Sequence, residues 1–584
     1  MKEENEIKKD KKIEKNSTLK DDKNKKVKLK KKININVNFV VVAIVLIAIF
    51  CIAVTPVTFQ NDTYYTIKIG ELIKNNGIDM MDHFSWHENL SYTYPHWLYD
   101  LCTYLVYAIG GFKGIYIATC ILSAILGISL FVVNSKLTKS KSVSFVITIG
   151  AIYVLKDYIA ARAQLVTFIL FIWELFFIEK FIENRKIGYG IGLIIISILI
   201  ANLHVATWPF FFVLFLPYIA EYFISVISDI IIYKKVRALV IKHKMKVAQK
   251  KNNLERLKEL QLKLDEQKEK NLKIKAKREN ENNSYKIVIK RKENVKFLII
   301  IMIICAFTGL LTPLGDTPYT YLYKTMQGNT TQNISEHLPL TLINNKDAMS
   351  ILIIFLAILV FTKVKIKLSD LFMLSGLCYL MFSTRRQLSM LTLICSVVLS
   401  KLLIELINKY TKYGIEEFEK TFKHIGVVAC LTVLIVLMCC DAIKPKLDDQ
   451  YVNSNTYPVA ACDYILENID LSKARFYNEY NYGSYMLFRG IPVFIDSRAD
   501  LYSPEFSGNK EDIFSDFINT SSISKFYEET YEKYNITHVI LGKKSKNNMI
   551  IVKTHDSNYK ELYSDDNFVI YERLNVKEQV ENND

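Results

Sequence analysis

Asp62, Arg162, His204, Glu336 and the pair Arg385-Arg386 stand at the ends of long apolar runs or in the polar stretches between them. Glu71, Asp79, Asp82, Asp157, Asn202 and His337 are placed in the same way. Ionisable side chains at the edge of a hydrocarbon span are expensive to keep, so they are candidates for function. The set suits transfer from a lipid phosphate. A leaving group that is a membrane-embedded phosphate needs fork-shaped cations at headgroup depth to hold the departing charge. One carboxylate must take the proton from an incoming hydroxyl. Attack opposite the phosphate inverts the anomeric carbon and needs no covalent nucleophile. It needs no nucleotide-binding loop either, and neither GxGxxG nor GxxxxGK[ST] occurs in the chain.

Those residues are set in a chain of 584 residues that is 51% hydrophobic and 12% aromatic, with a formal net charge of +16. Its mean hydropathy is only +0.15. The figures agree only if apolar and charged residues are segregated, and they are. Residues 1–36 carry 14 lysines against 7 acids, residues 233–296 carry 22 basic against 8 acidic, and residues 443–584 carry 16 basic against 23 acidic. A single soluble globule, a secreted disulfide scaffold and a disordered chain are excluded, and a polytopic α-helical membrane protein is expected. A hydrocarbon core of roughly 30 Å takes about 20 apolar residues of helix. About eleven spans are expected, over Val37–Val57, Ile115–Asn134, Ser142–Ala160, Leu165–Glu183, Gly188–Val205, Pro209–Tyr233, Phe297–Thr312, Ala348–Thr362, Leu368–Ser383, Leu388–Asn408 and His424–Asp441. The first reads as an uncleaved anchor.

Lysine- and arginine-rich loops mark the cytoplasmic side. With the N-terminus inside, eleven spans put every basic loop inside and the acidic C-terminus outside, at the outer face of the cell membrane. The alternation holds if Trp97–Ile109, closed by Gly110-Gly111, lies at the outer interface rather than crossing. All the candidate residues then share the outer face. Arg162, Arg385 and Arg386 run against the positive-inside bias, which implies an anion for them to hold.

The organisation expected is a basic cytoplasmic leader (1–36) and a first membrane core (37–232) with an outer loop at 58–114. A basic helical cytoplasmic insertion (233–296) precedes a second core (297–442) with an outer loop at 313–347. A small extracytoplasmic α/β domain (443–584) completes the chain. The insertion reads as a solvated helical hairpin that tracks anionic lipid at the cytoplasmic face. It is nearly free of aromatic residues, so no nucleic-acid partner is expected. In the C-terminal domain, strands are expected at Arg475–Tyr480, Val493–Asp496, His538–Leu541, Glu561–Tyr563 and Phe568–Glu572. Helices are expected at Val459–Glu467, Ile523–Tyr534 and Asn547–Lys553. Its cluster Asp496-Ser497-Arg498-Ala499-Asp500 reads as a salt-bridged loop or as an acceptor-docking surface. The ten cysteines show no CxxC and no Cys/His metal spacing, and no metal ligand set is expected.

Each candidate also has an ordinary reading. Asp62 can cap a helix over Thr63–Asn76, Asp157 and Arg162 can pair, and His204 can be a satisfied bundle residue. Glu336 can be a plain loop carboxylate, and Arg385-Arg386 can anchor to lipid phosphate. Their shared location carries the functional reading.

Asn61-Asp62-Thr63-Tyr64-Tyr65, continuing through Lys68-Ile69-Gly70-Glu71 and Asn76-Gly77-Ile78, resembles the first outer loop of the GT-C glycosyltransferase superfamily. That superfamily includes protein O-mannosyltransferases and aminoarabinose transferases. Asp82-His83-Phe84-Ser85 and Pro95-His96-Trp97-Leu98 are similar to bacterial members. Ala161-Arg162-Ala163-Gln164, Ala201-Asn202-Leu203-His204, Thr312-Pro313-Leu314-Gly315, Ser335-Glu336-His337 and Val493–Asp500 are similar to later landmarks. The resemblance covers roughly Val37–Asp441 and part of the C-terminal domain. It implies an inverting transferase that takes a sugar from a polyprenyl-phosphate carrier to a glycan, protein or lipid acceptor. Asp62 would orient or deprotonate that acceptor. Arg162, Arg385 and Arg386 would lie near the carrier phosphate, and His204, Glu336 and Asp82 would contribute to substrate binding. No particular cofactor is identified, and a divalent cation is left open. A non-catalytic transport or assembly factor for envelope polysaccharide is the competing class. Transporters place polar residues near mid-membrane and show internal repeats, neither of which is evident here.

Overall fold

The computed structural model describes residues 38–232, 235–251, 253–281 and 286–576. The expected basic leader lies outside the described residues. A helix lies over each of the eleven apolar runs. Among the described residues, four stretches are long and apolar enough to cross a membrane alone: Trp97–Thr138, Val205–Ile230, Arg385–Tyr410 and Ile425–Lys446. Phe39–Val54, Ile187–Leu203, Val295–Leu310 and Leu368–Ser383 are shorter apolar helices. Ala163–Asn184 has the length, but Glu174, Glu179, Lys180 and Glu183 interrupt its apolar sequence. Inside the bundle, Lys401 Nζ is 2.9 Å from both Glu179 Oε1 and Asp370 Oδ1.

The segment expected at the interface is a helix of its own. Helical geometry runs on from Trp97 but breaks at Gly111 (φ 58°, ψ −152°), a conformation that favours glycine. Ala163–Asn184 starts beside the extended residue Arg162, and Arg185 in the left-handed conformation (φ 50°) reverses the chain into Ile187–Leu203. That return brings His204 back to the end where Arg162 lies. At the opposite end, Ile287–Val288 pairs in parallel with Ile366–Lys367. This pairing joins the insertion to the bundle. The insertion itself forms two helices, Lys235–Lys250 and Leu254–Glu281, packed through Ile241, Ala248, Leu260 and Leu264. The loop expected over 313–347 is largely folded, into the helix Thr317–Gln327 and short turns at Thr330–Asn333 and Ser335–His337.

The C-terminal domain is built on a four-stranded sheet in the order Phe476–Tyr477, His538–Gly542, Phe568–Arg573, Tyr559–Ser564. Its first pairing is parallel and the other two are antiparallel. Two expected elements differ. Val493–Asp496 is not a strand, because the Asn478 side chain occupies the backbone groups that a ladder would use. Phe494 N donates to Asn478 Oδ1 (2.8 Å) and Asn478 Nδ2 donates to Ile495 O (2.7 Å). Ile523–Tyr534 is not one helix. Ile523 (φ 67°) caps the C-terminus of Ile513–Ser522, and a new helix starts at Tyr527.

One apolar core runs from the first polar loop into this domain. Tyr64 packs edge-on against Tyr457 and Tyr485, with ring centroids 4.9 and 5.1 Å away. Gly483 makes a close approach on which this depends, since a Cβ there would stand 2.0 Å from Ile495 O and 2.9 Å from the Asp496 Cα. Gly483→Ala should therefore destabilise the protein by about 1–3 kcal/mol, the range for overpacking. Thermal unfolding of the full chain in detergent reads this as a lowered midpoint, and an unchanged midpoint would show that the contact relaxes freely.

Candidate active site

At the end of the bundle that meets the C-terminal domain lies a cavity of about 380 Å³. Helix starts and ends supply its walls. Asp62 comes from the first turn of Asn61–Asn76 and Arg162 from the residue before Ala163–Asn184. His204 follows Ile187–Leu203, and Glu336 sits on the short turn Ser335–His337. Arg386 comes from the turn between Leu368–Ser383 and Leu388–Tyr410, and Ser497–Leu501 of the C-terminal domain closes one side.

Arg162 lies between two carboxylates. Its Nη2 is 2.5 Å from Asp62 Oδ2 and its Nη1 is 3.1 Å from Glu336 Oε1. Burial works against the guanidinium charge, but Asp62 and then Glu336 outweigh it and hold the arginine above its ordinary range. Burial likewise works to raise Glu336, and Arg162 and Arg386 outweigh it and hold that carboxyl below its usual range. Arg162 therefore does not pair with Asp157. Asp62 accepts no cap hydrogen bond from the helix N-terminus among the described residues; its bonded oxygen faces Arg162.

Arg386 differs from Arg162. Its Nη2 donates to Gln164 Oε1 at 3.4 Å, and no carboxylate lies within ion-pair distance among the described residues. It faces the cavity with no carboxylate in direct contact, and Glu336 and Asp62 act on it only from beyond ion-pair distance. Arg385 is not part of the lining. Successive residues of the 3-10 turn Arg385–Gln387 point apart, and Arg385 instead fastens the neighbouring loop. Its N donates to Leu338 O (3.0 Å) and its Nε to Pro339 O (3.4 Å).

His204 is buried and shares a 3.0 Å hydrogen bond between its Nδ1 and Thr167 Oγ1, so it is both a satisfied bundle residue and part of the cavity wall. Asn202 acts as a staple, accepting from Trp97 Nε1 (3.1 Å) and donating to Leu311 O (3.0 Å). Glu71 pairs with Lys68 (2.7 Å), and Asp79 is bonded to His83 (2.5 Å); neither lines the cavity.

Asp82 stands one layer behind the wall. It accepts from Arg498 Nη1 at 2.7 Å and from the N and Oγ of Ser85 at 2.9 and 2.6 Å. Arg498 also binds Asp496 through two nitrogens, at 2.9 and 2.7 Å, and Tyr502 Oη donates to Asp496 Oδ2 at 2.6 Å. The Asp496–Asp500 cluster is thus a salt-bridged loop that also forms a wall of the cavity. Asp500 faces the cavity, held by the hydroxyls of Tyr321 and Thr330, and burial pushes its carboxyl above the usual range. Among the described residues no group of three His, Cys, Asp or Glu side chains is disposed to hold a metal ion. Asp62 and Glu336, the carboxylates best placed to share one, hold the Arg162 guanidinium between them.

Sequence reasoning assigned no role to Tyr321 or His96 in the lining, and reached Asp500 only as part of the Asp496–Asp500 cluster. Asp500 and His96 lay within motifs that had been singled out. Tyr321 carried no signal beyond being aromatic in a polar stretch.

No known family profile matches the chain, and no curated protein matches it. Among solved structures the chain is similar to the oligosaccharyltransferase of Archaeoglobus fulgidus in two crystal structures. One is tethered by a disulfide to an acceptor peptide containing the NVT sequon. It is 12% identical, the match covers 91% of this chain and 74% of that one, and the TM-score is 0.48. The other is the apo form, 12% identical over 95% of this chain and 75% of that one, with a TM-score of 0.49.

Proposed function

We propose that the chain is a GT-C-type membrane glycosyltransferase, using a sugar linked to polyprenyl phosphate and an acceptor hydroxyl on the outer face of the cell membrane. The observation that carries this reading is Arg386, which has no carboxylate within ion-pair distance among the described residues, in a cavity where Asp62 and Glu336 are bonded to Arg162. A guanidinium free of direct carboxylate contact in a recess at the edge of a bundle is matched to a phosphate. Asp62 then takes the proton of the acceptor hydroxyl, and Arg162 and Glu336 fix where that carboxylate points. The acceptor oxygen attacks the anomeric carbon opposite the phosphate and inverts it. The leaving phosphate gathers charge beside Arg386, where a preset cation lowers the barrier. The cavity lies at one end of the bundle and not at its middle, which favours transfer over transport.

The purified full chain in detergent, given polyprenyl-phosphate sugars, should release free polyprenyl phosphate. Arg386→Gln should lower that rate about 10²-fold, as for removal of one charge-stabilising donor. No release by the wild type from any such donor, or equal rates for the two proteins, would remove this reading.

A further inference from the structure

The end of the bundle opposite the candidate active site holds a second cavity, of about 230 Å³. It lies between the end of the helix that closes at Thr138, the start of Leu368–Ser383 and the second half of Leu388–Tyr410. Leu137, Val398, Leu402 and Ile404 give it apolar surface, and Lys365 and Lys367 bring charge from the extended segment before Leu368. Residues two apart in an extended segment point to the same side. This segment is held along its length. Ile366 and Lys367 pair with Ile287 and Val288, Lys365 N donates to Glu405 Oε1 (2.7 Å), and Lys363 N donates to Tyr410 Oη (2.9 Å). The two lysines are therefore presented by a fixed backbone.

The carboxylates of the lining have other work. Asp370 shares Lys401 Nζ with Glu179, each at 2.9 Å, and Glu405 accepts the Lys365 amide. Lys367 has no carboxylate within ion-pair distance among the described residues, and Glu179 acts on it only from farther away. Lys139, Arg185, Lys186, Lys363 and Lys412 lie just beyond helix ends on this side of the bundle. The field at the cavity mouth therefore draws anions in. A basic recess between membrane helices suits an anionic lipid headgroup. At about 230 Å³ the cavity is below the roughly 300 Å³ at which small-molecule clefts begin, so it suits a compact group.

We propose that this cavity binds the phosphate-bearing headgroup of an anionic phospholipid. Lys367 is its charge partner, and the first methylenes of the acyl chains lie against Leu402 and Ile404. A free phosphate offers the same charge but leaves the apolar surface uncovered. The bound headgroup joins three helices of the bundle and, through the strand pairing at Ile287–Val288, the insertion. The site is separate from the transfer chemistry, so its test needs no sugar donor.

Native mass spectrometry of the full chain in detergent reads the binding, with phosphatidylglycerol, phosphatidylcholine or inorganic phosphate added. The wild type should retain phosphatidylglycerol in preference to phosphatidylcholine. Lys367→Gln should lower that retention about fivefold, the usual worth of one basic side chain at an anionic lipid surface. Lys367→Arg keeps the charge and should keep the lipid. Lys412 is exposed at the same end and outside the lining, and Lys412→Gln should leave retention unchanged. Ile404→Trp fills the cavity without altering charge and should lower retention as Lys367→Gln does, which keeps the test decisive if the lysine variant fails to fold. Equal retention of the two lipids, or equal losses in Lys367→Gln and Lys412→Gln, would overturn a built site. A thermal unfolding midpoint raised by inorganic phosphate in the wild type and not in Lys367→Gln, with no phosphatidylglycerol retained, would overturn the lipid and give the cavity to a free anion.

Discussion

Asp62→Asn should reduce the turnover number by about 10²–10⁴-fold, the usual contribution of a positioned general base. The substitution is nearly isosteric, and it leaves Arg162 still paired with Glu336 at 3.1 Å. The guanidinium therefore keeps its place, and the loss reports the missing proton acceptor more than a displaced wall. Of the two Asp62 oxygens, Oδ2 is held by Arg162 and Oδ1 has no hydrogen bond among the described residues, so one oxygen is free for the acceptor hydroxyl. Saturating kinetics separate the alternatives. A fall in kcat with KM little changed marks an interaction made in the transition state, whereas a rise in KM alone marks a lost ground-state contact. Equal turnover of Asp62→Asn and wild type would remove Asp62 from the base role. Asp62→Glu, which keeps the carboxylate but shifts it by one methylene, should retain more activity than Asn despite the larger change in shape.

The legible parts of this molecule are those set by local sequence. Apolar runs of sufficient length predict helices because backbone groups in hydrocarbon must be bonded within the segment, and a helix lies over each run. Gly110-Gly111 marked the end of the Trp97 segment because only glycine readily takes the backbone conformation found at Gly111. Counting helix ends placed Asp62, Arg162, His204, Glu336 and Arg386 at one end of the bundle, where they line one cavity, but Glu71, Asp79 and Arg385, read in the same way, do not. What stayed hidden depends on direction or on distant partners. Nothing local tells Arg385 from Arg386, because the choice is made by one residue of a 3-10 turn. The strand expected at Val493–Asp496 failed because Asn478, from another part of the chain, binds its backbone. Asp82 was singled out as a site residue, but its partner Arg498 lies 416 positions away and makes it part of the framework. His96 stood in a motif without a role, since only the folded chain brings its ring to 5.4 Å from that of His204 in the cavity wall.

Arg498→Met should destabilise the folded protein by about 3–5 kcal/mol, the range for removing one member of a buried ion pair. The Arg498 side chain is 2% exposed, that of Asp82 is 1% and that of Asp496 is 0%. Arg498 also lies over the faces of Tyr92 and Phe84, with its guanidinium carbon 5.0 and 5.6 Å from the ring centres. Methionine fills much of that space but leaves two carboxylates facing each other in the dry interior, so most of the loss comes from uncompensated charge and not from a void. Changing all three together, Asp82→Asn, Asp496→Asn and Arg498→Met, should therefore recover a large part of the stability lost by the single change. A triple variant no more stable than Arg498→Met would show that packing, and not charge, is what Arg498 supplies. The pH dependence gives a second check. Burial alone would raise the Asp82 carboxyl, but Arg498 outweighs it and the folded group titrates below its usual range. A depressed folded value stabilises the native state above the unfolded pKa of about 3.9, and this contribution is lost as pH falls through the lower folded value. The wild-type midpoint of thermal unfolding should carry this term unchanged from neutral pH down to about 4. In Arg498→Met burial is no longer opposed, the Asp82 carboxyl titrates higher, and protonation at acid pH should relieve part of the defect. The gap between variant and wild type should thus narrow as pH falls, and a gap that stays constant from pH 7 to 4 would contradict the electrostatic origin. Because Arg498 holds the segment Ser497–Leu501 that walls the cavity, the single variant should also lose turnover at temperatures well below its unfolding midpoint.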